Sequence, residues 1–214
     1  CTAVTSSICH PLLHNAAVRD YARGGIVSRK PLRMNRILIL TIVFLAGWSV
    51  AGAQEAYKQA ESFNRLAKEA VSRMEKCPDR DSVAIFNAVV DGVEYSLKCD
   101  EFDRMPNRKG KVEPKFEEEN RRRLALLHPM LIDAGKYFSK SVYTKQEGMD
   151  ALKLYLTTRR STLVKDNADE SGVASYYLSY YYLKAHNLLK ADEYADSAMQ
   201  YDETAQAAAE IKAQ

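Results

Sequence analysis

Ala191, Ala195 and Ala198 stand at i, i+4 and i+7, and seven tyrosines crowd into the thirty residues around them, 174–203. Three alanines at that spacing make one narrow, flat face on a helix. A helix with such a face approaches its neighbour closely, and the neighbour must supply the bulk. Tyrosine supplies it and keeps a polar tip for water or a ligand. Five of the tyrosines (Tyr176, Tyr177, Tyr180, Tyr181, Tyr182) fall on one predicted helix and cannot share a face. Tyr177, Tyr181 and Tyr182 are expected to lean towards the core. The 214 residues contain six prolines and nine glycines. So few breakers among abundant Ala, Leu, Lys and Glu favour helix throughout.

The chain begins at Cys1, and its first methionine is Met34. "MNRILILTIVFLAGWSVAGAQ" follows, with Arg36 ahead of an apolar run at 37–46. Ala51-Gly52-Ala53 then fits a small-x-small cleavage site. This is the pattern of a secretory signal peptide over 34–53, with Gln54 as the first mature residue and a periplasmic or secreted destination. The competing reading is an uncleaved anchor over 37–53, at the lower limit of length for a span. Residues 1–33 read as an upstream, disordered or non-native segment. Cys9, His10 and His14 have a metal-like spacing there, but an accident of that segment explains it. Residues 1–53 hold six of the 31 basic residues and one of the 28 acids, so the remainder is net −2 although the whole chain is +3. The basic pI belongs to the leader, and nucleic acid is not an expected partner.

From residue 54 the pattern is helical hairpins. Ala56, Ala60, Phe63, Ala67, Ala70 and Met74 step by four and three along one face. "CPDRD" breaks that helix, and Asp81 is a plausible N-cap for the next. There Val83, Phe86, Val90, Val93 and Leu97 are expected to carry the buried face to about residue 102. The segment 54–112 is thus an N-terminal hairpin closing with a loop over 103–114. A third helix starts near Pro114, with "EEE" ahead of "RRR" (121–123) as a solvated charge run that suits the helix dipole. Pro129 is expected to kink or break it near His128. Further helices follow to about residue 141, over 144–161, over 172–186 and over 190–201, and a last one begins at 204 and stops unpartnered at the chain end. An acid-rich loop, "DNADESG", lacks the EF-hand spacing; Asp169 or Ser171 as an N-cap accounts for it.

The hairpin over 172–203 resembles a tetratricopeptide repeat, a helix–turn–helix unit of about 34 residues. Ser179 and Tyr182 fit the small and large residues of its first helix, and Ala191, Ala195 and Ala198 fit the small positions of its second. A looser match precedes it, with Gly135, Phe138, Ala151, Tyr155 and Thr158, and four extra residues within "SVYTKQEG". The resemblance implies an all-α fold over 113–214, antiparallel hairpins stacked as a short TPR-like α-solenoid. It also implies a concave groove lined by Val173, Tyr176, Tyr180, Leu183 and Lys184, and by Ile132, Lys136, Ser139 and Lys140. Tyr176 and Tyr180 either line that groove or pack on a neighbouring helix. With its leader, the chain is similar to the exported helical-repeat proteins of the Bacteroidetes type.

No catalytic signature accompanies this architecture: HExxH, the P-loop, GxGxxG and GxSxG are all absent. Neither cofactor nor metal is expected. His128 and His186 read as capping or surface residues. Cys77 and Cys99 would lie roughly 25 Å apart in a simple hairpin at 1.5 Å per residue, beyond the about 7 Å that a disulfide spans. The expected function is a non-enzymatic exported scaffold that binds a protein or peptide in its groove, or self-associates through the C-terminal helix. Two alternatives are the N-terminal module of a longer exported enzyme, thioredoxin-like or hydrolytic, and a structural protein tethered to the inner membrane through the uncleaved leader.

Overall fold

The stripe at Ala56, Ala60, Ala67 and Ala70 is buried, with Phe63 and Met74 half-buried beside it. It lies on α1 (Gly52–Glu75). The computed structural model describes residues 52–77, 81–107 and 109–214, among which there are seven α-helices and no strand. α2 (Ser82–Asp103), α3 (Glu117–Phe138), α4 (Lys145–Thr158), α5 (Ser171–Lys184), α6 (Leu188–Ala198) and α7 (Asp202–Lys212) follow, with a 3-10 turn, Thr162–Val164, between α4 and α5. Each helix packs on the next, and α7 also packs on α5. Three antiparallel hairpins, α1–α2, α3–α4 and α5–α6, therefore stack into an all-α, solenoid-like array. The segment 1–33, the leader over 34–51, the possible span from residue 37, and Cys9, His10 and His14 lie outside the described residues. The backbone of α1 runs through the expected cleavage position after Ala53.

Local chemistry sets most helix ends. Asp81 caps α2, its carboxylate accepting from the Val83 and Ala84 amides at 2.9 and 3.4 Å. The Asp103 carboxylate accepts the Phe116 amide at 2.7 Å, so α3 starts at Glu117, later than Pro114. Its first turn carries three acids, at the favourable end of the dipole. At the end of α5, the His186 and Asn187 amides donate to Leu183 and Tyr182 carbonyls at 2.9 and 3.0 Å, with His186 left-handed at φ 57°. This is a Schellman turn, and the Asn187 side chain then caps α6 on the Lys190 amide.

Four expectations are corrected. α3 continues unbroken through Pro129. The proline leaves the Ala125 carbonyl without its donor, but Pro129 and Ala125 both face solvent, where water serves that carbonyl. Opposite them, Leu124, Leu127, His128, Leu131 and Ile132 are buried and keep the helix continuous through the gap. Val83 is exposed; Val93 is buried and Phe86, Val90 and Leu97 are half-buried as expected, and Val89 and Cys99 complete the buried face in its place. His128 is fully buried. Arg123 is buried too, at 7% exposure, while Arg122 of the same charge run is solvated.

Arg123 holds three helices together. Its Nη1 donates to Ser96 Oγ of α2 at 3.1 Å and to Asn120 Oδ1 at 2.8 Å. Its Nη2 donates to Asn64 Oδ1 of α1 at 2.7 Å and to Glu119 Oε1 at 3.0 Å. Asn64 in turn donates to Glu119, and Lys68 pairs with it at 3.0 Å. Burial alone would raise the Glu119 carboxyl; the hydrogen bonds and charges of Lys68, Asn64 and Arg123 outweigh it and hold the carboxyl below its usual range. The buried guanidinium is therefore both paired and hydrogen-bonded, as a buried charge must be.

The second hairpin closes on two glycines. A Cβ on Gly148 of α4 would stand 2.7 Å from the Gly135 carbonyl and 2.7 Å from the Ser139 amide. Only glycine permits that approach of α3 and α4. A Cβ on Gly135 would stand 2.5 Å from the Leu152 side chain, which is fully buried but shifts more readily than backbone. In the third hairpin the alanine face is realised: Ala191, Ala195 and Ala198 are buried, and Ser179 Oγ donates to the Ala191 carbonyl at 2.8 Å. α7 buries Thr204, Ala208 and Ile211 and turns Glu203, Gln206 and Glu210 to solvent.

Replacing Arg123 by Ala should lower the unfolding free energy by about 3 kcal/mol, because Glu119 and Asn64 lose their buried partner. Arg122→Ala should stay within about 0.5 kcal/mol. Urea denaturation of both variants checks this, and equal losses would refute the network. Gly148→Ala should cost about 1–3 kcal/mol through overpacking and Gly135→Ala less, read from the same midpoints.

Candidate functional site

α5 presents a different surface to each neighbour, because its tyrosines follow one another around the helix. Ala174, Leu178 and Tyr181 are buried in the main core with Leu124, Leu127 and Leu152. Tyr182 faces α6 and stacks on Tyr194, with centroids 5.6 Å apart and planes 5° apart. Tyr176 and Leu183 pack on the cluster of Ala195, Ala198, Ala208 and Ile211. Tyr180 remains 39% exposed.

The rings form a continuous row along α5. Tyr176 meets Tyr177 edge-on at 5.4 Å, Tyr177 stacks on Tyr181 at 6.1 Å, and Tyr181 meets Tyr180 edge-on at 5.6 Å. A lysine stands at each side. Lys136 of α3 places its Nζ 5.1 Å from the Tyr177 centroid, and Lys184 places its own 5.5 Å from that of Tyr180. Both distances are within cation–π range. Burial raises the Tyr181 phenol pKa. The charge beside the row comes from the lysines. α5 has no acid from Ser171 to Lys184; near the end of α3, Lys136 and, just beyond the helix, Lys140 accompany one exposed acid, Asp133.

The expected groove residues thus separate. Tyr180, Lys184 and Lys140 are exposed, and Val173, Tyr176, Leu183, Lys136 and Ser139 are half-buried. Ile132 is corrected: at 2% exposure it belongs to the core and lines no surface. Tyr177 packs against the core, towards which it was expected to lean, and it also carries the Lys136 contact and links Tyr176 to Tyr181, a role that its sequence position alone did not signal.

The remaining reactive groups are structural. Burial pushes the Cys99 thiol up to about 11, beside Asn120, and Cys77 and Cys99 form no disulfide with each other. No group of three or more His, Cys, Asp or Glu among the described residues is placed to hold a metal ion, and no described helix is long and apolar enough to cross a membrane. His128 stacks on Tyr155 at 4.1 Å, and its Nε2 is 3.1 Å from the Tyr155 carbonyl. The Tyr155 hydroxyl accepts the Glu170 amide at 2.8 Å, and the Asp169 carboxylate accepts that of Ser171 at 3.0 Å. The pair ties the loop before α5 to the core. Comparison with protein-family models, with curated proteins and with solved structures finds no match for the chain.

Burial lowers the His128 pKa, the Tyr155 hydrogen bond opposing it. The unfolded chain therefore binds the proton first, and stability falls as pH drops below about 6.5, the ordinary histidine value, towards the depressed folded one. Carboxylates such as Glu119 act lower, near and below about pH 4. Denaturation midpoints from pH 7.5 to 5 should decline for the parent chain and stay flat for His128→Phe; parallel curves would exclude His128 as the cause.

Proposed function

We propose that this protein is an exported, non-enzymatic helical-repeat scaffold whose α5 face, with the adjoining end of α3, binds an extended peptide or protein segment. The row Tyr176–Tyr177–Tyr181–Tyr180 between Lys136 and Lys184 carries the reading. Amphipathic rings held by packing offer contact area at small entropic cost, and aromatic anchors dominate the energetics of such surfaces. With lysine the prevailing charge around the row, a segment bearing carboxylates and apolar side chains fits best. The sequence resemblance to tetratricopeptide repeats would put a binding groove on this same helix, and the signal-like sequence ahead of residue 54 supports export.

Selection of a peptide library on the full chain, followed by fluorescence anisotropy of the enriched peptides, tests this. Enriched sequences should be acidic. Tyr180→Ala should weaken them about tenfold or more, and Lys184→Glu by a similar amount, with helix content unchanged by circular dichroism. Peptides that bind Tyr180→Ala as well as the parent chain would remove the assignment.

A further inference from the structure

The register of the second and third hairpins brings their two turns to one edge of the stack. Lys136 of α3 lies over Tyr177 of α5, and Ser139 stands beside Tyr181. α3 and α5 therefore run side by side in the same direction, and their C-terminal ends, where each hairpin turns, share an edge. At those turns stand Val142 and Tyr143, 90% and 94% exposed, and Leu188 and Leu189, 63% and 87% exposed. These are the four most exposed large hydrophobic side chains among the described residues. Isolated exposed apolar residues need no account, but the four most exposed falling on one edge do.

Two observations select the partner. Val142 and Tyr143 stand in the α3–α4 connection and Leu188 and Leu189 open α6, all four extending largely into solvent. Every formally charged residue from 139 to 146 and from 184 to 191 is a lysine: Lys140, Lys145, Lys184 and Lys190. Acids return only with Glu147 and Asp192, one step into α4 and α6. Lys190 is shared with Glu193 at 2.5 Å, whereas Lys140 and Lys145 make no ion pair with the described residues. Apolar tips ringed by lysines match a surface that is anionic outside and hydrocarbon beneath.

We propose that the edge formed by the α3–α4 and α5–α6 turns docks on anionic lipid, Val142, Tyr143, Leu188 and Leu189 entering the headgroup layer while Lys140 and Lys145 pair with lipid phosphates. This is a second membrane contact, separate from the apolar leader and from the tyrosine face.

The test needs a probe local to the edge, so that lipid binding by the expected leader is not read as docking. Trp48 is the chain's single tryptophan, so the full-length double variant Trp48→Phe with Tyr143→Trp reports from the tip alone. Vesicles of equimolar phosphatidylglycerol and phosphatidylcholine with brominated acyl chains should quench this tryptophan and shift its emission to the blue. Pure phosphatidylcholine should do so only weakly. Adding Lys140→Gln and Lys145→Gln should weaken the anionic response by roughly 20-fold, near fivefold for each lysine. Unchanged emission at saturating anionic lipid would overturn the proposal, as would a response indifferent to lipid charge and to both lysines. A blue shift that grows with protein concentration without lipid, and is abolished by Leu189→Asp, would assign the edge to a second copy of the chain instead.

Discussion

The guanidinium of Arg123 is the constraint on which the stack depends. It leaves α3 within two turns of that helix's start and ends between α1 and α2, where Asn64 and Ser96 accept from it. Replacing such a network by apolar groups of equal volume often changes stability little, because desolvation offsets the attraction. Its effect is on alternatives. Sliding α3 along the first hairpin strands a buried cation and leaves Asn64 and Glu119 without a donor. Only one register satisfies all of them, and that register sets where the rest of α3, including Lys136 and Ser139, meets α5.

Downstream the glue changes. α3 and α4 meet through two glycines that bring backbone against backbone, and α5 and α6 meet through alanines and serine on one side and tyrosines on the other. The progression puts aromatic mass on a single helix. A flat alanine face accommodates Tyr182 and Tyr194, but the remaining rings must go elsewhere around α5. Some enter the main core, some cover α7, and Tyr180 is left at the surface. The candidate site is thus a consequence of packing demand. The rings are fixed by their buried neighbours, and the solvent-facing edges of that fixed row are what a partner meets.

Periodicity made the hairpins legible. The α1 stripe, the Asp81 cap and the alanine ladder are local patterns, and each is realised where it was read. The misreadings concern long-range partners. Arg123 sits in a charge run that looks solvated, and only the positions of Asn64 and Ser96, 59 and 27 residues away, draw it inside. His128 stands on the apolar stripe of Leu124 and Leu131, and Tyr155 covers it. Pro129 obeys a local rule against helix interiors, but the rule assumes a carbonyl that water cannot reach. Ile132 was assigned by repeat position, but it is buried with Leu124, Leu127 and Leu131 in the core. Tyr177 illustrates the converse: a residue can serve core and surface together when its ring has two faces and only one is covered.

The exposed edge follows from topology more than from any one turn. In a stack of hairpins every intra-hairpin turn falls on the same edge, and the connections between hairpins fall on the other. Apolar residues in one turn would be two stray side chains. Repeated in the next hairpin, they stand beside each other without any helix having changed. The Schellman turn at His186 and the longer α3–α4 connection, where the Thr144 hydroxyl donates to the Phe138 carbonyl at 2.6 Å, both close their backbone hydrogen bonds internally. Neither turn needs its hydrophobic residues for its own stability. Leu188, Leu189, Val142 and Tyr143 leave almost no mark on the fold, so their exposure is a property of the surface alone, and a partner for that surface is where their burial would be gained.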